Sequence, residues 1–294
     1  MKKLFIIYAL LLVSFISCKK DDSSTIPTPD NGSGGNTSTI PTTFSQKVLL
    51  EEFTGASQAQ CPDGFVKMDN ILAANPNTSI PVEIHYSDAM ELNQYTTLYT
   101  TFNNGNGAMF PSALINRTAS LSTVILNRTQ WQSNYDVIKT KSAGAGLSIK
   151  STISGTTATV EVHCGFNQTL AGNYSLTVYL CENNVIGNGS LYDQRNSYNT
   201  STGHPYFGAG DPIINFNHNY VLRNVLSASL GDAIPATKVI KGGEYIKTYT
   251  INIAAYKSND LNIVAFISKT GTVATEQPII NVQKSKLGTT KNWD

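Results

Sequence analysis

The segment from Lys47 to Asn75 constrains the fold more than any other part of the chain. Val48-Leu49-Leu50-Glu51-Glu52-Phe53-Thr54 is a β-prone run broken by Gly55. Cys61-Pro62-Asp63-Gly64 follows, and Phe65, Met68, Ile71 and Leu72 then recur at helical spacing up to Asn75-Pro76. Pro and Asp in the first turn suit a helix start, since the missing proline N–H has no partner there in any case. A second strand (Ile80 to Tyr86) and a second amphipathic stripe (Leu92, Tyr95, Leu98, Tyr99, Phe102) come next. After a Gly-Asn loop at 103–107 stand Phe110-Pro111, a third strand (Ala113 to Asn116) and a predicted helix near 121–140 carrying Val124, Trp131, Tyr135 and Ile138. The order β-α-β-α-Pro-β-α predicts an α/β domain with an open sheet over residues 45–143.

After Gly146 the pattern changes. The runs 147–149, 158–162, 176–180, 245–253 and 261–267 alternate or are continuously apolar, with Gly, Asn and Ser between them. No long helical stripe interrupts them, which predicts an all-β, Ig-like antiparallel β-sandwich over residues 144–294. Gly144-Ala145-Gly146 reads as a hinge between the two domains. The stretch 183–219 exceeds what a minimal sandwich needs and contains Tyr192, Tyr198, Tyr206, Phe207 and Phe216. Tyrosines among Asn, Ser and Gly make a binding surface of low side-chain entropy cost. The same aromatics could equally pack the loop onto the body.

The N-terminus reads as an export signal. Met1-Lys2-Lys3 precedes an apolar run from Leu4 to Ile16, with a small residue, Ser17, before Cys18. That run is shorter than the roughly 20 apolar residues a spanning helix needs. Residues 23–43 are mostly Ser, Thr, Pro, Asp, Asn and Gly, so 18–44 is predicted to be a disordered tether. A Cys at the cleavage point resembles the lipobox of bacterial lipoproteins, which implies a signal peptide over 1–17 and a membrane partner reached through lipid on Cys18. Lys19-Lys20-Asp21-Asp22 resembles the surface-export signal of Bacteroidetes-type lipoproteins. The resulting expectation is an outer-membrane, lipid-anchored, cell-surface-exposed protein.

The first folded segment resembles a thioredoxin-like domain. Leu50-Glu51-Glu52-Phe53-Thr54-Gly55 followed by Cys61-Pro62 is similar to that family's strand-to-helix junction, and Pro111, preceded by Phe110, occupies its cis-proline position. The resemblance implies a redox Cys-x-x-Cys, but Gln58 stands where the nucleophilic thiol belongs, in Gln58-Ala59-Gln60-Cys61. Exchange needs attack by an exposed thiolate and resolution by a second thiol. Gln58, Cys61, Phe110 and Pro111 therefore read as a degenerate redox site, without catalytic residues and without a cofactor. Asp63 beside Cys61 is expected to disfavour its ionisation. The segment from His218 to Leu226, with Gly231-Asp232, the lipobox and the front half together resemble the 28-kDa outer-membrane lipoprotein family of Bacteroidetes-type bacteria. That resemblance implies a thioredoxin-like domain followed by a sandwich, with surface binding or adhesion as its role.

Other chemistry finds little support. His85, Ser87 and Asp88 lie together, but a strand-end turn with Asp88 as a helix cap is the simpler reading. His85, His163, His204 and His218 lack zinc-ligand spacing, so no metal is expected. A net charge of +1 with 14% charged residues gives no reason to expect nucleic acid as a partner. With Cys18 lipidated, Cys61, Cys164 and Cys181 remain, an odd number. Cys164 and Cys181 could bridge, although alternation sets Cys164 on the apolar face of its strand and Cys181 opposite Leu176, Val178 and Leu180. The functional expectation is a non-enzymatic binding or adhesion lipoprotein whose ligand is an extracellular protein, peptide or glycan. The alternatives are an envelope protein using Cys61 as a lone thiol and an accessory subunit of a nutrient-uptake complex.

Overall fold

A computed structural model describes residues 39–103 and 109–294. The signal segment, Cys18, most of the tether and most of the Gly-Asn loop lie outside the described residues. The front half runs β1 (Val48–Thr54), α1 (Cys61–Ala74), β2 (Ser79–His85), α2 (Gln94–Asn103), β3 (Ser112–Ile115), β4 (Ile125–Asn127) and α3 (Trp131–Ile138). The back half supplies β5 (Ala145–Ser154), β6 (Thr157–Phe166), β7 (Tyr174–Glu182), β8 (Val221–Val225) and β9 (Asp232–Ile234). It ends with β10 (Glu244–Asn252), β11 (Leu261–Lys269), β12 (Ile279–Lys286) and β13 (Thr290–Lys291).

Strand β1 is buried along its whole length because both faces are covered. It pairs with β2 in parallel and with β3 antiparallel. Leu49 and Phe53 enter a core shared with Tyr95, Leu98, Tyr99 and Phe102 of α2. Val48 and Leu50 face Met68 and Ile71 of α1 and Trp131, Tyr135 and Ile138 of α3. Helix α1 carries Pro62 in its first turn and ends at Asn75, whose N–H donates to Leu72 and whose side-chain amide donates to the Ile71 carbonyl.

The expected single helix over 121–140 is corrected. Residues 125–127 form a strand antiparallel to β3, and Asn127 caps the turn that leads into α3. Only the part from Trp131 onward is α-helical, because Ile125 and Leu126 are buried more effectively as a sheet edge than on a helix.

The boundary at residue 144 does not separate two self-contained bodies. One sheet runs β12-β11-β7-β8-β2-β1-β3-β4, with β9 also on β7, so back-half strands continue the front-half sheet. The seam is a single parallel pairing of Glu83 with Val221. A second sheet, β10-β6-β5-β13, packs on one face of β7 and β11 and also meets β9 and β12. Alternation divides β7: Leu176, Val178 and Leu180 face that second sheet, while Tyr179 and Cys181 face the core of α2. Two sheets thus pack together, but the larger is shared with the α/β segment, and the described residues 39–103 and 109–294 belong to one compact unit.

Two further expectations change. Gly146 is not a hinge: it lies within β5 opposite Gly165 of β6. A side chain at Gly146 would run into the Phe44 ring, and one at Gly165 would meet Ile40 and Trp293. The last tether residues thus pack onto β5 and β6, so the folded body starts near Ile40 rather than at residue 45. Cys164 and Cys181 lie in different cores and, like Cys61, are buried free thiols.

Candidate functional site at the strand-to-helix junction

The turn from β1 into α1 is tight. The Gln58 N–H donates to the Gly55 carbonyl and the Cys61 N–H to the Gln58 carbonyl, each at 3.0 Å. Gly64 allows α1 to sit close to β1 and β3: a Cβ there would collide with the Glu52 carboxyl and lie 2.8 Å from the Pro111 side chain. The Phe110–Pro111 peptide is cis and borders the same turn. Gln58, Ala59 and Gln60 on one side, with Met109, Phe110, Pro111, Asn127 and Arg128 on the other, line an open groove of about 340 Å³. Gln58, Cys61, Phe110 and Pro111 are thus brought together at one place.

Cys61 itself is fully buried. Burial raises its thiol pKa far above the usual range, and the Glu52 carboxyl below it adds to the effect, outweighing contacts from Thr54 and Gly55. Asp63, expected to act on this thiol, is occupied elsewhere: its carboxylate pairs with Arg128 at 2.5 Å and lies 3.5 Å from His204. Burial, and then the neighbouring Glu83, push the Glu52 carboxyl well above the usual carboxylate range, and neither of its oxygens has a hydrogen-bond partner.

The Tyr-rich stretch 183–219 lies over this junction. Arg195 N–H donates to the Ala56 carbonyl and Ser197 N–H to the Ala59 carbonyl, both at 2.8 Å. The Gln194 side-chain amide donates to the Gln58 carbonyl at 3.1 Å. Of the five aromatics expected as a binding surface, four pack inward. Phe216 stacks on Phe65 at 5.5 Å, and Tyr206 lies against Phe216 at 6.0 Å. The Tyr198 hydroxyl accepts from Arg128 while its ring stacks on His204 at 4.1 Å. Tyr192 packs beside Met90, Val185 and Val221. Only Phe207, 52% exposed, presents its ring to solvent. The loop is a lid made mostly of structural aromatics.

Below the lid, His85 and His218 come within 5.2 Å, edge to face. Asp88 caps no helix; its carboxylate accepts from the Ala56 N–H, the Met90 N–H and His85 Nδ1 at 2.7 to 2.8 Å. Burial opposes a charge on His85, but Asp88 and Glu83 outweigh it and hold its pKa up at about 9. Burial and the neighbouring His85 push His218 down to about 4. Glu83 was not singled out from the sequence, and His85 and His218 were set aside as ligands because the four histidines lack zinc-ligand spacing. The one available signal was alternation, which sets Glu83 and His85 on the same face of a strand.

No curated protein matches the chain by sequence. Among solved structures, HBP35 of Porphyromonas gingivalis has the same fold with a TM-score of 0.63 and 19% identity, over 83% of this chain and 76% of that one. A structural-genomics protein of Agrobacterium tumefaciens is similar at a TM-score of 0.51 and 11% identity, over 85% of this chain and 98% of that one. The family model described as "Outer membrane protein Omp28" matches residues 96–291, most of the folded body. The chain therefore belongs to the Omp28 family and is an outer-membrane protein.

Proposed function

We propose that this protein is a lipid-anchored, surface-exposed binding protein that does no redox chemistry, with a thioredoxin-like front half serving as scaffold. The reading of the front half is supported by the order β1-α1-β2 followed by antiparallel β3 and β4, with Pro111 directly before β3. The observation that carries the functional reading is the state of the junction. The groove beside Gln58 is open, while the thiol next to it in the chain, that of Cys61, is fully buried, does not line the groove and is held protonated. Exchange chemistry needs the reverse, an accessible thiolate. The groove is bordered by the amide side chains of Gln58, Gln60 and Asn127 and by Arg128. Such donors and acceptors suit the backbone of an extended peptide segment from a partner protein. Lipid on Cys18 and display at the cell surface rest on the export signal and on the Lys-Asp segment after that residue.

Two measurements test the proposal. Purified mature protein and its Cys61→Ala variant should be equally inactive in a disulfide-reductase assay with a protein disulfide as substrate. Turnover by the unmodified protein that disappears in Cys61→Ala would overturn the non-enzymatic reading. Intact mass of detergent-extracted protein should show diacylglyceryl-type mass beginning at Cys18, and an unmodified Cys18 would remove the anchor.

A further inference from the structure

Glu83 and His85 are two apart on β2 and so share a face. Val221 of β8 pairs with Glu83, and that pairing brings the preceding loop residue His218 onto the same face. All three side chains are buried, at 5%, 2% and 0% exposure. One ligand-type atom from each lies within 4.8 Å of the others.

The outer hydrogen bonds fix what these atoms can do. His85 Nδ1 is bonded to Asp88 at 2.7 Å, and His218 Nε2 to the Tyr192 carbonyl at 2.8 Å. Both partners are acceptors, so each ring donates outward and faces its other nitrogen inward: a lone pair on His218 and, on His85, a nitrogen whose proton a metal ion would displace. Glu83 Oε2, His85 Nε2 and His218 Nδ1 are left as three buried polar atoms with no hydrogen-bond partner. Buried acceptors facing one another need a cation between them. A proton on His85 Nε2 reaches only Glu83, at 3.5 Å, which is beyond good hydrogen-bond geometry, and leaves His218 Nδ1 bare.

We propose that Glu83, His85 and His218 form a binding site for one divalent first-row transition cation of the zinc type. Two imidazoles and a carboxylate are the donor set such ions favour. Asp88 and the Tyr192 carbonyl orient the two rings from behind, as outer partners of metal-bound histidines do. Ligands about 2.1 Å from tetrahedral zinc stand about 3.4 Å apart, so the group closes by roughly an ångström on binding. Glu52 falls outside the 4.8 Å group, which leaves water for the fourth position. The ion fastens the end of the 183–219 lid to β2. It is a structural cation, and its presence does not depend on the binding role proposed above.

Because the site is enclosed, the untagged full chain is unfolded in denaturant and refolded with excess Co²⁺ or Zn²⁺, or with chelator, and then desalted. The expected result is one ion per chain by elemental analysis, with the ligand-field bands of four-coordinate Co²⁺. The thermal midpoint should rise by about 5 °C over the chelator-refolded protein. Glu83→Gln, which keeps the side-chain shape, and His218→Ala should each abolish the ion and the rise, whereas His204→Ala should keep both. If His218→Ala does not refold, Glu83→Gln decides. No stoichiometric ion in the unmodified chain, or an ion kept in Glu83→Gln and lost in Cys61→Ala, would overturn the proposal.

Discussion

Cys61, Cys164 and Cys181 are buried in three different surroundings, and burial raises the pKa of each thiol, that of Cys181 to about 12. A thiol-specific disulfide reagent at pH 8 should therefore leave all three unmodified in the native protein and label all three after unfolding. Rapid labelling of Cys61 in native protein would contradict its enclosure. Gln58 is half-buried at the edge of the open groove, with its backbone already in the turn that leads into α1. Gln58→Cys should raise reductase activity at least tenfold above background, measured against both the unmodified protein and Gln58→Cys with Cys61→Ala. The missing sulfur was legible in the sequence because it is a matter of residue type at one spacing. The lid above Cys61 was not, since it comes from residues far along the chain.

Elements are joined by two polar contacts that hydrophobic patterning did not disclose. Arg117 donates two hydrogen bonds to the Glu51 carboxylate, at 2.7 and 2.8 Å, and one to the Tyr179 hydroxyl, tying β1 to β7 inside the core. Its guanidinium also lies over the Phe102 and Phe266 rings. Arg117→Ala leaves the buried Glu51 carboxylate without its counter-charge, with the Tyr179 hydroxyl still donating to it, so urea unfolding should show a loss of about 3–5 kcal/mol. Asp232 of β9 accepts from Tyr249 and Lys247 of β10, joining the two sheets. Burial works against its charge, but these bonds and the Ala228 N–H hold the carboxyl below its usual value. A carboxyl lowered on folding stabilises the native state above its unfolded pKa, and the benefit fades as pH falls through the folded value. Asp232→Asn should therefore cost stability at pH 7, with the difference from the unmodified protein shrinking below about pH 4. The five strands expected in the back half match β5, β6, β7, β10 and β11, where alternation or a long apolar run marks them. Strand β12 escaped because Asn281, Gln283 and Ser285 are buried polar residues that break the apolar signal. Asn281 meets the Ser45 and Ala145 carbonyls, and Gln283 pairs with Lys47, so their burial is satisfied only in the assembled fold.

For the whole molecule, the shared sheet makes the front and back halves interdependent. Residues 45–143 expressed alone would expose the β2 edge and the face of α2 that packs on Tyr179, Val264, Phe266 and Val282. That fragment should be insoluble or unfolded, while residues 39–294 should melt in one cooperative transition. Limited proteolysis should trim the chain up to about Ile40 and leave 143–146 intact. Two separable transitions, or a stable 45–143 fragment, would restore the picture of independent domains.

The alternation and helical spacing of residues 47–103 and 145–267 determined most strands and two of the helices, because burial of one face is a local property of a periodic segment. The residue type at position 58 was likewise readable by itself. What the tertiary structure decided was every relation between distant segments: one sheet in place of two domains, a lid over Cys61, and Glu83, His85 and His218 around a common point. The shared sheet rests on the pairing of β2 with β8 and the lid on bonds from Arg195 and Ser197 to the β1–α1 turn, and no periodicity within a strand specifies which neighbour it will take.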